Sequence, residues 1–444
     1  MRLGPDSLGA LAQAVVRPGY DRAAQGYGIV HFGIGAFHRA HQAWYTDLAM
    51  DAGDRNWAIT GVSLRSTGVS EQLAPQAGLY TLTERDGGSE RTRLIGAVRE
   101  VLVAGSHRAE IVARLAAPQC RIASFTVTEK GYCRRADGSL DLALAEAGFY
   151  PLLAEAFALR QAAGLPGLTL LSCDNLADNG NQLERLMGEY LATARPDLEA
   201  WFLAECACPC SMVDRIVPAT TQADLARLHG RIGLDDAGAV FTEPFSQWVI
   251  ENRFAGPRPR WDAVGAQLVA DVRPYETAKL RMLNGAHSLL AYCGLRRGHT
   301  FVHEAIADPE LRGLAETLML HEAAPTIAAA PGQDLPRYAS ELMRRFANSA
   351  LNHRLIQIAM DGSQKLPQRW LETLAANQQQ GRDCPAIMAG IAAWIEHLRG
   401  ANGPVDDPLA AELGRAAGQD DALGALFGSG GLLPSAWKPA PRGT

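Results

Sequence analysis

The chain has little that would send it to a membrane, a nucleic acid or a disulfide-stapled fold. No run of about eighteen apolar residues occurs among its 444 residues, so a membrane-spanning helix is not expected. The stretch Met1 to Tyr20 carries scattered charge and proline with no apolar centre, so no secretory signal is expected either. A net charge of −6 offers no basic field to a phosphate polymer, which argues against nucleic-acid binding. The eight cysteines are spread along the chain and fit reduced thiols, which predicts a cytoplasmic location. No internal repeat of roughly twenty to fifty residues is visible, so a solenoid is not expected.

One cysteine cluster stands apart, Cys206, Cys208 and Cys210 in the run CACPC. Thiolates ligate soft metals, but the usual spacing puts two to four residues between ligands, and no second pair lies nearby. The alternation instead fits three small side chains on one face of a strand. No metal is expected.

What is present is an ordinary globular composition, 47% hydrophobic and 20% charged, at a length suited to two or three domains. Gly28 to Phe32, Trp57 to Val62, Ile122 to Val127 and Leu168 to Ser172 read as buried strands. Helical segments such as Ala40 to Met50 and Leu152 to Ala163 lie between them, a pattern that predicts an α/β domain with a parallel sheet. Leu79 to Glu84 and Arg91 to Ile95, around Asp86-Gly87-Gly88, read as an inserted hairpin. After about Pro274 helical periodicity takes over, with Leu311–Leu320, Tyr338–Phe346, Pro385–Leu398 and Pro408–Leu413 as candidate helices. The expected division is residues 1–270, α/β, and 271–444, mainly helical. The tail Pro434 to Thr444, rich in proline and glycine, is expected to fray.

The first strand runs into Gly33-Ile34-Gly35-Ala36-Phe37-His38-Arg39-Ala40-His41. A strand, a GxG turn and a helix start bring backbone amides to a pyrophosphate, which points to a dinucleotide. Gly33, Gly35 and Phe37 are the candidate cofactor residues. His38 stands where the usual fingerprint has a third glycine. His38 and His41 would need a third ligand to hold a metal, so packing beside the phosphates is the plainer reading. No acid ends the second strand; Arg65 follows it instead. An arginine there suits a 2′-phosphate, so NADP stays open beside NAD, and a solvated loop arginine fits equally well.

The segment Tyr275 to His287 carries the chemistry. On an α-helix at ~100° per residue, Lys279, Asn284 and His287 fall within an arc of roughly 140°. Oxidation of a secondary alcohol needs a base for the hydroxyl proton and donors for the developing alkoxide. A lysine serves as base when burial and nearby positive charge bring its pKa from ~10.4 towards ~7–8. Spacing alone favours the plainer reading, a lysine at a helix edge and a satisfied core histidine.

The runs HFGIGAFHRAHQAWYTD (His31 to Asp47), TVTEKGYC, LSCDNLADNG, MVDRIVPAT, EPFSQWVIENRF, KLRMLNGAHS and MDGSQKLPQR occur in this order. Together they resemble the polyol-specific long-chain dehydrogenases, the family of mannitol 2-dehydrogenase and fructuronate reductase, over almost the whole chain. The resemblance implies a Rossmann-type domain, a helical domain and a zinc-independent reaction with lysine as general acid/base. It implies that Lys279 is that lysine, that Asn284 and Asn175 polarise the reacting oxygen, and that His287 binds substrate. Glu129 matches an acid of the proton passage, Asp214 a residue near substrate, and Lys365 a lysine on the substrate's polar groups. Arg369 and Arg281 are further cations for a carboxylate, although Arg281 points away from the Lys279 face.

Two departures bear on the substrate and the cofactor. Gln357 stands where mannitol 2-dehydrogenases carry an arginine, and TEKGY, KLRMLNG and MDGSQKLPQR look closer to fructuronate reductases. Gly68 stands where NAD-preferring relatives carry an acid. The family's helical sequence also usually continues beyond the position of Pro434, so a terminal element is expected to be missing. The expected activity is therefore NAD(P)-dependent reduction of a keto sugar acid, D-fructuronate to D-mannonate. A polyol dehydrogenase acting on mannitol, arabinitol or sorbitol is the alternative, and a non-catalytic nucleotide-binding redox sensor is an alternative of another kind. The expected partner is a small sugar acid or polyol. The oligomeric state is open, a monomer included.

Overall fold

Five short runs of apolar and β-branched residues are buried on both faces, as strands of a covered parallel sheet must be. They are β1 (Tyr27–Phe32), β2 (Ala58–Ser63), β5 (Val98–Val103), β6 (Ile122–Phe125) and β7 (Thr169–Ser172). In the computed structural model, which describes residues 1–433 and 435–439, they form one sheet in the order β5-β2-β1-β6-β7. Every pairing in it is parallel. Side chains alternate between two cores. Val30, Phe32, Ala123, Phe125 and Leu170 enter one, whereas Ile29, Ile122 and Leu171 enter the other. Helices Tyr150–Ala162 and Asn179–Ala194 contribute to the first of these cores.

The hairpin β3 (Tyr80–Asp86) and β4 (Ser89–Ile95) turns through Gly87-Gly88, as the sequence predicts. It has a third strand the sequence did not reveal, β9 (Val240–Thr242), parallel to β3. A further small sheet joins β8 (Ser211–Asp214), β10 (Gln247–Glu251) and β11 (Gln267–Val269) in the order β11-β10-β8. The CACPC run is not a strand. Only Ala207 makes a β-bridge there, to Thr169, before β8 begins at Ser211. Pro209 has no amide proton to donate to a ladder, which limits pairing in this stretch. Burial pushes the Cys206 and Cys210 thiols up to about 12, so neither is a ready thiolate.

The chain divides into two compact units, Met1–Val272 and a second that begins at Arg273. Helix Gly285–Arg296 is buried from Gly285 to Gly294, which marks it as the second unit's central element. Helix Pro385–Leu398 packs along it. Three turns of π-helix interrupt the α-helical pattern, at Lys279–Asn284, Leu318–Ala323 and Pro367–Leu371. Pro434 and residues 440–444 of the expected frayed tail lie outside the described residues. The described part is docked instead. Trp437 is buried with its ring against Phe427, and the backbone amide of Lys438 donates to the Gln378 side-chain oxygen at 3.1 Å. Among the described residues no helix is long and apolar enough to cross a membrane.

Gly362 shows how closely this unit packs. A Cβ there would lie 2.7 Å from Trp394 Nε1 and 2.8 Å from the Tyr292 hydroxyl, both on buried rings. Gly362→Ala is therefore expected to destabilise the protein by roughly 1–3 kcal/mol through overpacking. A thermal melt should show Tm lowered by about 2–4 °C for each kcal/mol.

Candidate active site

Ligands of open parallel sheets bind beyond the carboxyl ends of the strands, where the strand order reverses. That point here lies beyond β1 and β6, and most of the sequence-selected residues of the first unit leave this edge. Gly33, Gly35 and Phe37 follow β1, Arg65 follows β2, Glu129 follows β6 and Asn175 follows β7.

The β1 loop is fixed by a small hydrogen-bonded web. Gly33 has φ 97°, and a Cβ on it would stand 2.0 Å from the Thr126 carbonyl oxygen, so no side chain fits. The Thr126 hydroxyl donates to Gly33 O at 2.6 Å. Beneath it the buried His31 ring lies 2.8 Å from Ser124 Oγ and 2.9 Å from Thr126 Oγ1. His31 stacks on His38 at 3.4 Å between ring centroids. Burial brings His31 down to about 3 and His38 well below its ordinary value, so both rings are neutral near pH 7. His41 is bonded in the core, its Nε2 2.9 Å from Gln247 O. These histidines are packing residues of the loop, and among the described residues no group of three or more His, Cys, Asp or Glu is placed to hold a metal ion.

Gly35 opens helix Ala36–Ala40 with no side-chain cap, which leaves its first amides for an anionic ligand. Phe37 is half-buried and lays one ring face on His41 at 5.1 Å. Arg65, Glu129 and Asn175 are exposed. Asp214 is placed differently: it ends β8 in the small sheet, buried, opposite Gln247.

Two residues of this edge escaped the sequence reading, although both lie inside the quoted motifs. Thr126 joins the β1 and β6 loops, as above. Asp174 joins the β6 and β7 loops, because its carboxylate accepts the backbone amides of Val127 and Thr128 and the Tyr132 hydroxyl. For Asp174 the usable signal is a charged residue two positions after a buried strand, which must find partners if it is itself buried.

In the second unit Lys279 and Asn284 bound one π turn, so the α-helical spacing assumed from the sequence does not hold between them. In a π turn the hydrogen bond runs from i to i+5, which brings these two residues closer to one face than α-helical spacing would. His287 follows on the α-helix. It is buried, with its ring 4.7 Å from Phe346 and 5.3 Å from His353. Burial, then the nearby His353, Arg369 and Arg345, hold it well below its ordinary pKa, so it acts as a neutral ring. Its Nε2 has no hydrogen-bond partner among the described residues.

Arg369 lies in the π turn Pro367–Leu371, which packs on the Lys279 turn. Its Nη1 donates to Ser288 Oγ at 2.9 Å and reaches Asn284 O at 3.4 Å. Lys365, on the helix before it, donates from Nζ to Met360 O at 2.6 Å. Arg281 is committed elsewhere, to Thr326 and Glu372, and is not free for a substrate. Gln357 is exposed and lines a cavity of about 110 Å³ with Met360, His397 and Asp406.

Residues 27–263 match the mannitol dehydrogenase Rossmann domain, and residues 271–425 match the mannitol dehydrogenase C-terminal domain. The chain is 41% identical to the D-mannonate oxidoreductase of Escherichia coli strain K12, over 94% of this chain and 91% of that protein. It is 36% identical to a mannitol 2-dehydrogenase of Phaeosphaeria nodorum, over 93% of this chain and 77% of that protein. Among solved structures it resembles mannitol 2-dehydrogenase of Pseudomonas fluorescens in a ternary complex with NAD and D-mannitol. That match has a TM-score of 0.82 and 37% identity, over 95% of this chain and 90% of the other. A D-sorbitol dehydrogenase in substrate-free form matches with a TM-score of 0.89 and 33% identity, over 95% and 91%. The chain belongs to the mannitol dehydrogenase family, whose members are oxidoreductases of polyols and sugar acids.

Proposed function

We propose that the chain is an NAD(P)-dependent reductase of a keto sugar acid, taking D-fructuronate to D-mannonate. The observation that supports an acidic substrate is Arg369. Its guanidinium hydrogen-bonds neutral oxygens of Ser288 and Asn284, and no carboxylate pairs with it among the described residues. Burial pushes it down to about 10. A partly buried cation without a counter-ion loses part of its hydration, and a carboxylate ligand accepting from the guanidinium offsets that loss. Lys365 adds a second cation close by, its own pKa lowered by burial and then by Arg369. The neutral Gln357 and the 41% identity to a D-mannonate oxidoreductase point the same way.

The residues of the β1 loop fit a dinucleotide: a glycine that admits no Cβ, then an uncapped helix start. When bound, reduced nicotinamide supplies the hydride. Lys279 gives its ammonium proton to the carbonyl oxygen as the hydride reaches carbon, so C=O becomes CH–OH and the lysine is left neutral. Asn284 donates a hydrogen bond to that oxygen, and the neutral His287 orients the substrate's hydroxyl groups. For Asn175, Glu129 and Asp214 the assignments rest on their motifs: oxygen polarisation, proton passage and substrate contact. The exposed Arg65 and the absence of an acid after β2 keep NADP open as cofactor.

Lys279→Ala is expected to lower kcat by about 10²–10⁴-fold while cofactor binding persists. In the intact enzyme, alcohol oxidation should accelerate as pH rises and Lys279 loses its proton, and ketone reduction should do the reverse. Steady-state rates in both directions from about pH 6 to 10 check this, and a flat chemistry-limited profile would remove Lys279 from the role. Arg369→Gln should raise KM for the keto acid by about tenfold or more, roughly 1.4 kcal/mol. It should leave any turnover of a neutral ketose within about twofold, since no carboxylate contact is lost there. Equal losses on both substrates would assign Arg369 to packing.

A further inference from the structure

Asp174 is a buried carboxylate of the parallel-sheet edge to which no role is yet given. It follows β7, is 8% exposed, and takes three donors onto two oxygens. Oδ1 accepts from Thr128 N at 2.8 Å, and Oδ2 accepts from Val127 N at 3.0 Å and from the Tyr132 hydroxyl at 2.9 Å. The buried Tyr132 hydroxyl also lies 2.6 Å from Ser172 Oγ. Thr128 is held at φ 63°, a left-handed conformation that is an outlier for a β-branched residue. The two bonds from consecutive amides to one charge keep it there.

The chain neighbours of these contacts matter. The residue after Asp174 is Asn175, and the residue after Thr128 is Glu129, both exposed on this edge. One buried charge thus sets the exit direction of both loops, and with it where Asn175 and Glu129 stand.

We propose that Asp174 is a positioning residue, whose carboxylate clamps the Val127–Thr128 amides against the β7 turn and so holds Asn175 and Glu129 in register for proton transfer. This rests on the assignments given above to Asn175 and Glu129. Asparagine at 174 keeps the shape but replaces one acceptor with an NH₂ that faces a donor. The clamp is then half lost without an unfilled space.

The test uses the full chain as wild type and as Asp174→Asn, Tyr132→Phe and Ser172→Ala. Turnover of a keto sugar acid or a ketose by wild type is measured first; its absence would sink the functional reading rather than the clamp. Given turnover, Asp174→Asn should lose about 10–100-fold in kcat, the scale of a misplaced reacting group. Its KM and its NADH Kd should stay within about twofold, and its solvent deuterium isotope effect on kcat should rise as proton transfer becomes slower. Tyr132→Phe should move a few-fold in the same direction, and Ser172→Ala should keep nearly full kcat. The proposal is overturned if folded Asp174→Asn keeps its kcat, or if all three variants lose kcat in step with their loss of Tm. Should Asp174→Asn not fold, an unchanged isotope effect in Tyr132→Phe overturns it.

Discussion

The loops after β1, β6 and β7 leave the carboxyl edge of a parallel sheet, and their backbone amides and carbonyls have no strand to pair with. The first unit depends on how these groups are satisfied. Thr126 gives its hydroxyl to the carbonyl of Gly33, and Asp174 takes the amides of Val127 and Thr128. A chain of side-chain bonds therefore runs across the ends of β1, β6 and β7. His31 supports it from below as a neutral ring, because burial removes its charge near pH 7. The loops that carry the candidate cofactor and proton-handling residues are thereby tied to one another without being buried.

The second unit meets a different constraint. A helix buried all round has no polar face on which to display reactive groups. The proposed reactive groups lie at the start of that helix, where a π turn is bounded by Lys279 and Asn284. A second π turn, carrying Arg369, packs on the first and is tied to the helix start by Trp370 Nε1 donating to Gly285 O at 3.1 Å. The cost of this arrangement is a partly buried guanidinium with neutral partners. That imbalance is what a substrate carboxylate would correct.

Much of this was legible in the chain itself. Four of the five strands of the parallel sheet were visible because burial on both faces makes them continuous apolar runs, and the hairpin because Asp86-Gly87-Gly88 interrupts an alternating pattern; β5 was missed, because Arg99 and Glu100 break its apolar run. The seven motifs mark the family, which the comparisons then establish. The small strands β8 to β11 were missed, since three to five residues carry too little periodicity. The π turn was invisible because nothing in KLRMLN departs from an α-helical composition; its register comes from packing. Asp174 was passed over for Asn175 beside it, because its importance lies in backbone amides that no side-chain pattern records. Arg281 was named as a further cation that faces away from Lys279, and the partners that hold it there, Thr326 and Glu372, are distant in sequence.

The central claim is that the cations Arg369 and Lys365 of the second unit select an acidic ketose. The most direct measurement is NADH and NADPH oxidation by the wild-type protein with fructuronate and fructose, side by side. The account predicts turnover of fructuronate with at least about a hundredfold higher kcat/KM than fructose, about 2.7 kcal/mol at the transition state. Turnover of fructose with fructuronate untouched would contradict it and place the protein among the polyol dehydrogenases of its family.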